Sequence, residues 1–175
     1  MDLIPSFSVD HTKIVPGIFT SRIDVVGDDN RITTYDIRVT KPNTEPAVDV
    51  ASMHSLEHII ATYLRNDDEW KDEVIYWGPM GCLTGFYLIL KGDRDPREIH
   101  GLLLGAFDSV KDVDEVPGAT AENCGNYRMH NLEIAKYHAA RFADYLRKNA
   151  DNDAIFEYPK TERPLTDGGQ QFFDS

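Results

Sequence analysis

Residues 27–40 read GDDNRITTYDIRVT. Within 31–40 the alternation puts Thr33, Tyr35, Ile37 and Val39 on one face and Asp36 and Arg38 on the other, the period-two pattern of a half-buried strand. GDDN has turn chemistry, and 17–26 before it reads as a second strand. Two strands joined by so short a turn make a hairpin, hence antiparallel pairing. Working outward, KPNTEP at 41–46 is a loop, EVIYWG at 73–78 and TGFYLILKG at 84–92 read as buried strands, and PMGCLTG at 79–85 turns between them. A helix is expected from about Asp49 to Arg65, capped by Asp49, with Val50, Met53, Ile60 and Leu64 at apolar helical spacing. Asp95-Pro96 starts a second helix by cap and first-position proline, running to about Val113 with Ile99, Leu102, Leu103 and Phe107 on one face. VPGATAENCGNY at 116–127 is irregular, and a last helix covers about Asn131 to Lys148. The order strands, helix, strands, helix, helix gives an α+β fold, a mainly antiparallel sheet with helices packed on one face. A single domain is expected over 1–150. Residues 151–175 read as a polar, peripheral C-terminal tail from which Ile155, Phe156 and Tyr158 can dock on the body.

Bulk composition narrows the chemistry. The 175 residues suffice for one domain with a real core. Lys and Arg number 18 against 30 Asp and Glu, a net charge of −12. That excess argues against nucleic acid and anionic membrane surfaces, which need clustered positive charge. MDLIPSFSVD lacks the basic start and apolar run of a signal peptide, and no apolar stretch is long enough to cross a bilayer, so a cytoplasmic location is expected. Cys82 and Cys124 then read as reduced thiols.

The first helix carries MHSLEHII at 53–60, polar residues inside an apolar run. Residues four apart on a helix are neighbours, so His54 and His58 can reach one metal ion from the same face. Glu57 shares that neighbourhood and can hold or move a proton without ligating. This H-x-x-E-H pattern is the inverted form of the zinc-protease motif. Two histidines do not complete a catalytic site, which usually has three protein ligands and one open position. Candidates for the third are Cys124, Cys82, His130 and a carboxylate. Gly125 lets the backbone beside Cys124 bend close to an ion, although a lone cysteine is more often a small buried hydrophobe. Cys82 sits in a turn flanked by Gly81 and Gly85, which suits an acid/base residue or a nucleophile as readily as an inert thiol. His100, His130 and His138 read as structural or surface histidines, with His130 the one close to Cys124. The motif leaves two readings open: a zinc metallopeptidase, in which Glu57 activates water, and a non-catalytic metal-binding module.

Five stretches in order, SFSVDH at 6–11, DIR at 36–38, HSLEH at 54–58, PMGCLTGFY at 79–87 and CGNYRMHNLE at 124–133, resemble S-ribosylhomocysteine lyase, the LuxS family. The likeness runs from about Ser6 to Leu146. It implies a homodimer of small α+β catalytic domains with the active site near the interface. It implies one divalent metal ion per chain, Fe(II) or Zn(II), held by His54, His58 and Cys124. It assigns Glu57 and Cys82 as the acid/base pair and Ser6, His11 and Arg38 as substrate-binding residues. The implied substrate is S-ribosylhomocysteine. The implied products are homocysteine and 4,5-dihydroxy-2,3-pentanedione, the autoinducer-2 precursor, with a place in quorum sensing and the methionine cycle. The chain departs from the pattern before PMGC: many members read DIS there, and this chain reads YWG, so Tyr76 replaces an aspartate that can contact substrate.

That chemistry suits these residue types. Moving a carbonyl along a sugar passes through enediolates, whose negative charge a Lewis acid stabilises. Protons must leave and return on more than one carbon, which two proton carriers on different elements serve better than one. Arg38 has the charge and the forked geometry for a substrate carboxylate; the plainer reading is a surface arginine paired with an acidic neighbour.

Overall fold

The computed structural model describes residues 9–159. Strands β1 (Gly17–Val26), β2 (Asn30–Arg38), β3 (Val74–Pro79) and β4 (Gly85–Lys91) form one sheet in the order β1-β2-β4-β3, each pair antiparallel. The hairpin read from GDDN is present, with Val26 opposite Asn30 and Gly27 at φ 67°, a left-handed value that glycine adopts without strain. Pairing of Tyr35 with Leu88 and Ile37 with Phe86 brings the apolar positions of β2 and β4 to one face.

Helices α1 (Val50–Asn66), α2 (His100–Ser109) and α3 (Leu132–Lys148) cover that face. Leu56, Ile60 and Leu64 of α1, Leu103 and Phe107 of α2, and Phe142 and Leu146 of α3 join Tyr35, Ile37, Phe86, Leu88 and Leu90 in one buried cluster. Each such side chain contributes about 1.5–3 kcal/mol by leaving water. Phe107 stands edge to face with Phe142 at 4.8 Å, which ties α2 to α3. Among the described residues no helix is long and apolar enough to cross a membrane.

The helix starts follow their caps. Asp49 accepts from the Ser52 amide at 3.0 Å, and Asn131 from the Ile134 amide at 3.2 Å. Asp95 also caps: its carboxylate accepts from the Arg97 amide and its own amide donates to Glu98, each at 2.8 Å. The turn it opens closes by three-residue bonds, Glu98 to Asp95 and His100 to Arg97, so regular helix begins only at His100. Its far end tightens in the same way over Val110–Asp112. Val50, expected on the apolar face of α1, is instead exposed. At the first turn its side chain leans past the helix end, with no earlier turn to pack on.

The second departure matters more. Asp36 and Arg38, expected on the open face of β2, are both buried. The segment after α3 returns across that face. Ile155 and Phe156 enter the core, and Tyr158 stacks on Phe19 of β1 with ring centroids 4.8 Å apart and planes at 11°. Gly17 permits this close return, because a Cβ there would overlap the Ile155 backbone. Arg97 secures the segment from outside, bonded to Asp153 at 2.5 Å and placed over the Phe156 ring.

Candidate functional site

The H-x-x-E-H helix brings its histidines together. The rings of His54 and His58 lie 4.7 Å apart, nearly perpendicular. Each is held from behind by a backbone carbonyl: His54 Nδ1 lies 2.9 Å from the Met129 oxygen, and His58 Nδ1 lies 2.8 Å from the Pro117 oxygen. A carbonyl only accepts, so both Nδ1 atoms carry the proton and both Nε2 lone pairs stay free. That is how ligating histidines are usually oriented. The loop after α2 supplies the thiol. Cys124 Sγ lies 3.4 Å from His54 Nε2 and accepts from the Asn126 amide at 3.4 Å.

His130 joins this group, although its sequence context reads as structural or surface. The ligand atoms of His54, His58, Cys124 and His130 all lie within 4.8 Å of one another. Asn131, the cap of α3, holds His130 in place: its amide donates to Ser55 Oγ at 2.9 Å, and Ser55 in turn lies 3.3 Å from His130 Nδ1. Burial and the neighbouring His54 and His58 lower the His130 pKa. The only signal in the sequence was its nearness to Cys124. His100, by contrast, bonds to the Leu146 carbonyl at 3.2 Å, and neither it nor His138 enters the cluster.

The donor chemistry fits one borderline-soft divalent ion: two neutral imidazoles and a thiolate on partly buried elements. Ring orientation sorts the histidines. An ion bound to two imidazoles lies near both ring planes, so it needs planes that intersect nearby. Those of His54 and His58 meet at 83° and those of His58 and His130 at 77°, whereas His130 stacks on His54 at 4.0 Å and 21°. The angles pair His58 with either of the other two but not those two with each other, and of these His54 is the one whose Nδ1 is fixed on a carbonyl. His54 and His130, as placed, do not share an ion. Glu57 stands outside the donor set and lines a cleft of about 350 Å³ with His58, Thr62, Gly118 and Asn123.

Cys82 opens a second cleft, of about 360 Å³, lined also by His11, Arg38, Glu45 and Thr84. The turn that presents it is tightly tied: Leu83 donates to Met80 and Val48 to Leu83, each at 2.9 Å. Leu83 sits at φ 59°, a left-handed value that costs a branched side chain roughly 1 kcal/mol or more. The strain falls next to the exposed thiol. Burial pushes the Cys82 thiol up, but the Thr84 hydroxyl and amide and the Arg38 guanidinium outweigh this and hold it below its ordinary value. Arg38 Nη1 lies 2.7 Å from Thr84 Oγ1 and 3.7 Å from Cys82 Sγ, and its Nη2 is paired with Asp36. His11 Nδ1 bonds to the Val9 carbonyl at 2.9 Å. Ser6 lies outside the described residues.

Tyr76 lines neither cleft. Its phenol lies so close over Gly78 that a Cβ there would overlap it, while Trp77 stacks on Phe86 at 4.5 Å. Tyr76 and Gly78 therefore depart from the DIS pattern as a pair.

A four-stranded antiparallel sheet whose covering helix carries this donor set defines an α+β protein with a site suited to one metal ion per chain. Comparison with known sequences narrows the class. The family model described as S-Ribosylhomocysteinase (LuxS) matches residues 4–153, and the chain belongs to that family. It is 45% identical over 163 residues to the S-ribosylhomocysteine lyase of Phocaeicola vulgatus, covering 93% of this chain and 100% of that protein. It is 42% identical over 160 residues to the S-ribosylhomocysteine lyase of Borreliella burgdorferi (91% and 100%), and 44% over 152 residues to that of Porphyromonas gingivalis (86% and 93%). Membership decides for the lyase among the alternatives that H-x-x-E-H left open.

Proposed function

We propose that this protein is a metal-dependent carbon–sulfur lyase that cleaves the thioether of S-ribosylhomocysteine to homocysteine and 4,5-dihydroxy-2,3-pentanedione. One observation carries the reading: two imidazoles fixed with free Nε2 atoms converge on a thiol, in a chain matching S-ribosylhomocysteine lyases over 93–100% of their length. The substrate carbonyl starts on carbon 1 and the sulfur is on carbon 5. Two carbonyl migrations bring it to carbon 3, and proton loss from carbon 4 then expels homocysteine by β-elimination. When bound at His54, His58 and Cys124, a divalent ion supplies Lewis acidity towards the negative charge that develops on the sugar. Iron(II) and zinc(II) both suit these ligands.

Glu57 and Cys82 move the protons. Glu57 stands beside His58 without belonging to the donor set. The lowered Cys82 thiol has a larger thiolate fraction near neutral pH than an ordinary cysteine. Arg38 binds the substrate carboxylate; its Nε is buried without a partner among the described residues. His11 and Ser6 orient the rest of the substrate. Residues 1–150 carry the catalytic machinery, and the segment that follows, expected as a peripheral tail, packs onto it through Ile155, Phe156 and Tyr158.

The active form is a cytoplasmic homodimer with its site near the interface, and its product feeds autoinducer-2 signalling. What supports two chains is that the Cys82 cleft and the Glu57 cleft have no lining residue in common. The deciding assay incubates purified protein anaerobically with S-ribosylhomocysteine and titrates released thiol. Release that a chelator stops is expected; metal-replete protein that releases none overturns the reading.

A further inference from the structure

Behind Cys82 runs a buried chain of polar contacts that neither metal binding nor proton transfer uses. Tyr158, in the segment after α3, donates its hydroxyl to Asp36 Oδ2 at 2.9 Å. The same carboxylate oxygen accepts from Arg38 Nη2. Arg38 Nη1 then reaches Thr84 at 2.7 Å and Cys82 Sγ at 3.7 Å. Asp36 Oδ1 is buried without a partner among the described residues, so Tyr158 and Arg38 are the groups that satisfy this carboxylate. Tyr158 lies beyond the residues that the family model matches.

We propose that Tyr158 is a positioning residue for the Cys82 thiol, acting through Asp36 and Arg38. The inference rests on the reading of Cys82 as a proton carrier and adds the part that sets its ionisation. A hydroxyl donated to Asp36 Oδ2 takes up part of the acceptor strength that Arg38 would otherwise meet alone. The guanidinium keeps more of its charge for the Thr84–Cys82 side. Without that hydroxyl, Asp36 neutralises Arg38 more fully, and without the ring, water enters and screens the pair. Both changes weaken the field that favours the thiolate. Arg38 and Thr84 touch Cys82, His11 and Glu45 line its cleft, and Tyr87 couples to it from the outer face of β4. Of these, Arg38 is the cation whose balance Tyr158 controls.

The test is the pH profile of Cys82 alkylation in the metal-loaded full chain, followed on the Cys82 peptide by mass spectrometry so that Cys124 does not contribute. Tyr158→Phe keeps the ring that stacks on Phe19 and removes only the hydroxyl. Its midpoint should rise by about half a pH unit, making alkylation about threefold slower at neutral pH; losing the bond to buried Asp36 also lowers the melting temperature, so the profiles are recorded well below it. Tyr158→Leu, lacking ring and hydroxyl, should shift it at least as far. Profiles that superpose on the wild type in both variants overturn the proposal, as does a shift confined to the leucine variant, which assigns the effect to packing. Cys82→Ala assayed for turnover keeps the two readings apart: full activity there refutes the proton carrier and leaves the alkylation result standing.

Discussion

His54 and His58 stand edge to face, their planes 83° apart and their rings 4.7 Å apart. Spacing of four on a helix brings the two rings close, but it does not set their angle. The angle comes from two carbonyls remote in sequence, Met129 and Pro117, which anchor Nδ1 of each ring on loops of their own. The lone pairs are thus aimed before any ion arrives, so less ordering is left to do on binding.

Metal content should follow that geometry rather than a count of nearby donors. His58→Ala and Cys124→Ala should purify with little metal. His130→Gln should hold close to one ion per chain, because its ring stacks on His54 instead of converging with it. Elemental analysis decides, and a metal-free His130→Gln protein would show that this ring is a ligand.

The two cysteines should separate cleanly. Cys82→Ala should keep its metal and lose turnover by at least about 100-fold, the usual contribution of a positioned acid or base. Cys124→Ala should lose both. Glu57→Gln should retain metal and stall with substrate bound. Wild-type turnover in Cys82→Ala or in Glu57→Gln would remove that residue from the mechanism.

The sequence disclosed what is local. The hairpin, the caps at Asp49 and Asp95 and the H-x-x-E-H face each depend on residues within one or two turns of one another, and each is present. It did not disclose what covers a face. Asp36 and Arg38 alternate with apolar neighbours as solvent-facing residues do, and they are buried by Tyr158, which is 122 positions from Asp36. His130 was hidden for the same reason, since its partner Ser55 is 75 positions away. Period tells which side of an element a residue faces, and only the path of the chain tells what meets it there.

The cap of the metal-bearing helix should be measurable as stability. Slight burial raises the Asp49 carboxyl, but its bonds from Ser52 and the Ala51 amide outweigh this and lower its pKa overall. A carboxylate whose pKa falls on folding stabilises above its unfolded value, about 3.9, and loses that contribution as pH drops through the folded value. Asp49→Ala should therefore cost about 0.5–2 kcal/mol at pH 7 and clearly less at pH 3. Asp49→Asn, an equally good cap, should keep most of the stability and lose this pH dependence. Urea unfolding at the two pH values checks both; an alanine penalty unchanged at pH 3 would show that the charge contributes nothing.

Mixing two inactive variants tests whether one site draws on two chains. In each chain Cys82 and Arg38 line one cleft and Glu57 and His58 another. If the thiol of one copy serves the metal centre of the other, a heterodimer of Cys82→Ala and Glu57→Gln has one site with both defects and one with neither. With random exchange half the dimers are mixed, so about a quarter of wild-type turnover should return. If each chain completes its own site, every site keeps a defect and mixing restores nothing. Subunit exchange must be confirmed on the same sample, for example by mass spectrometry of tagged chains. Exchange without recovery would then place both proton carriers of each site on one chain.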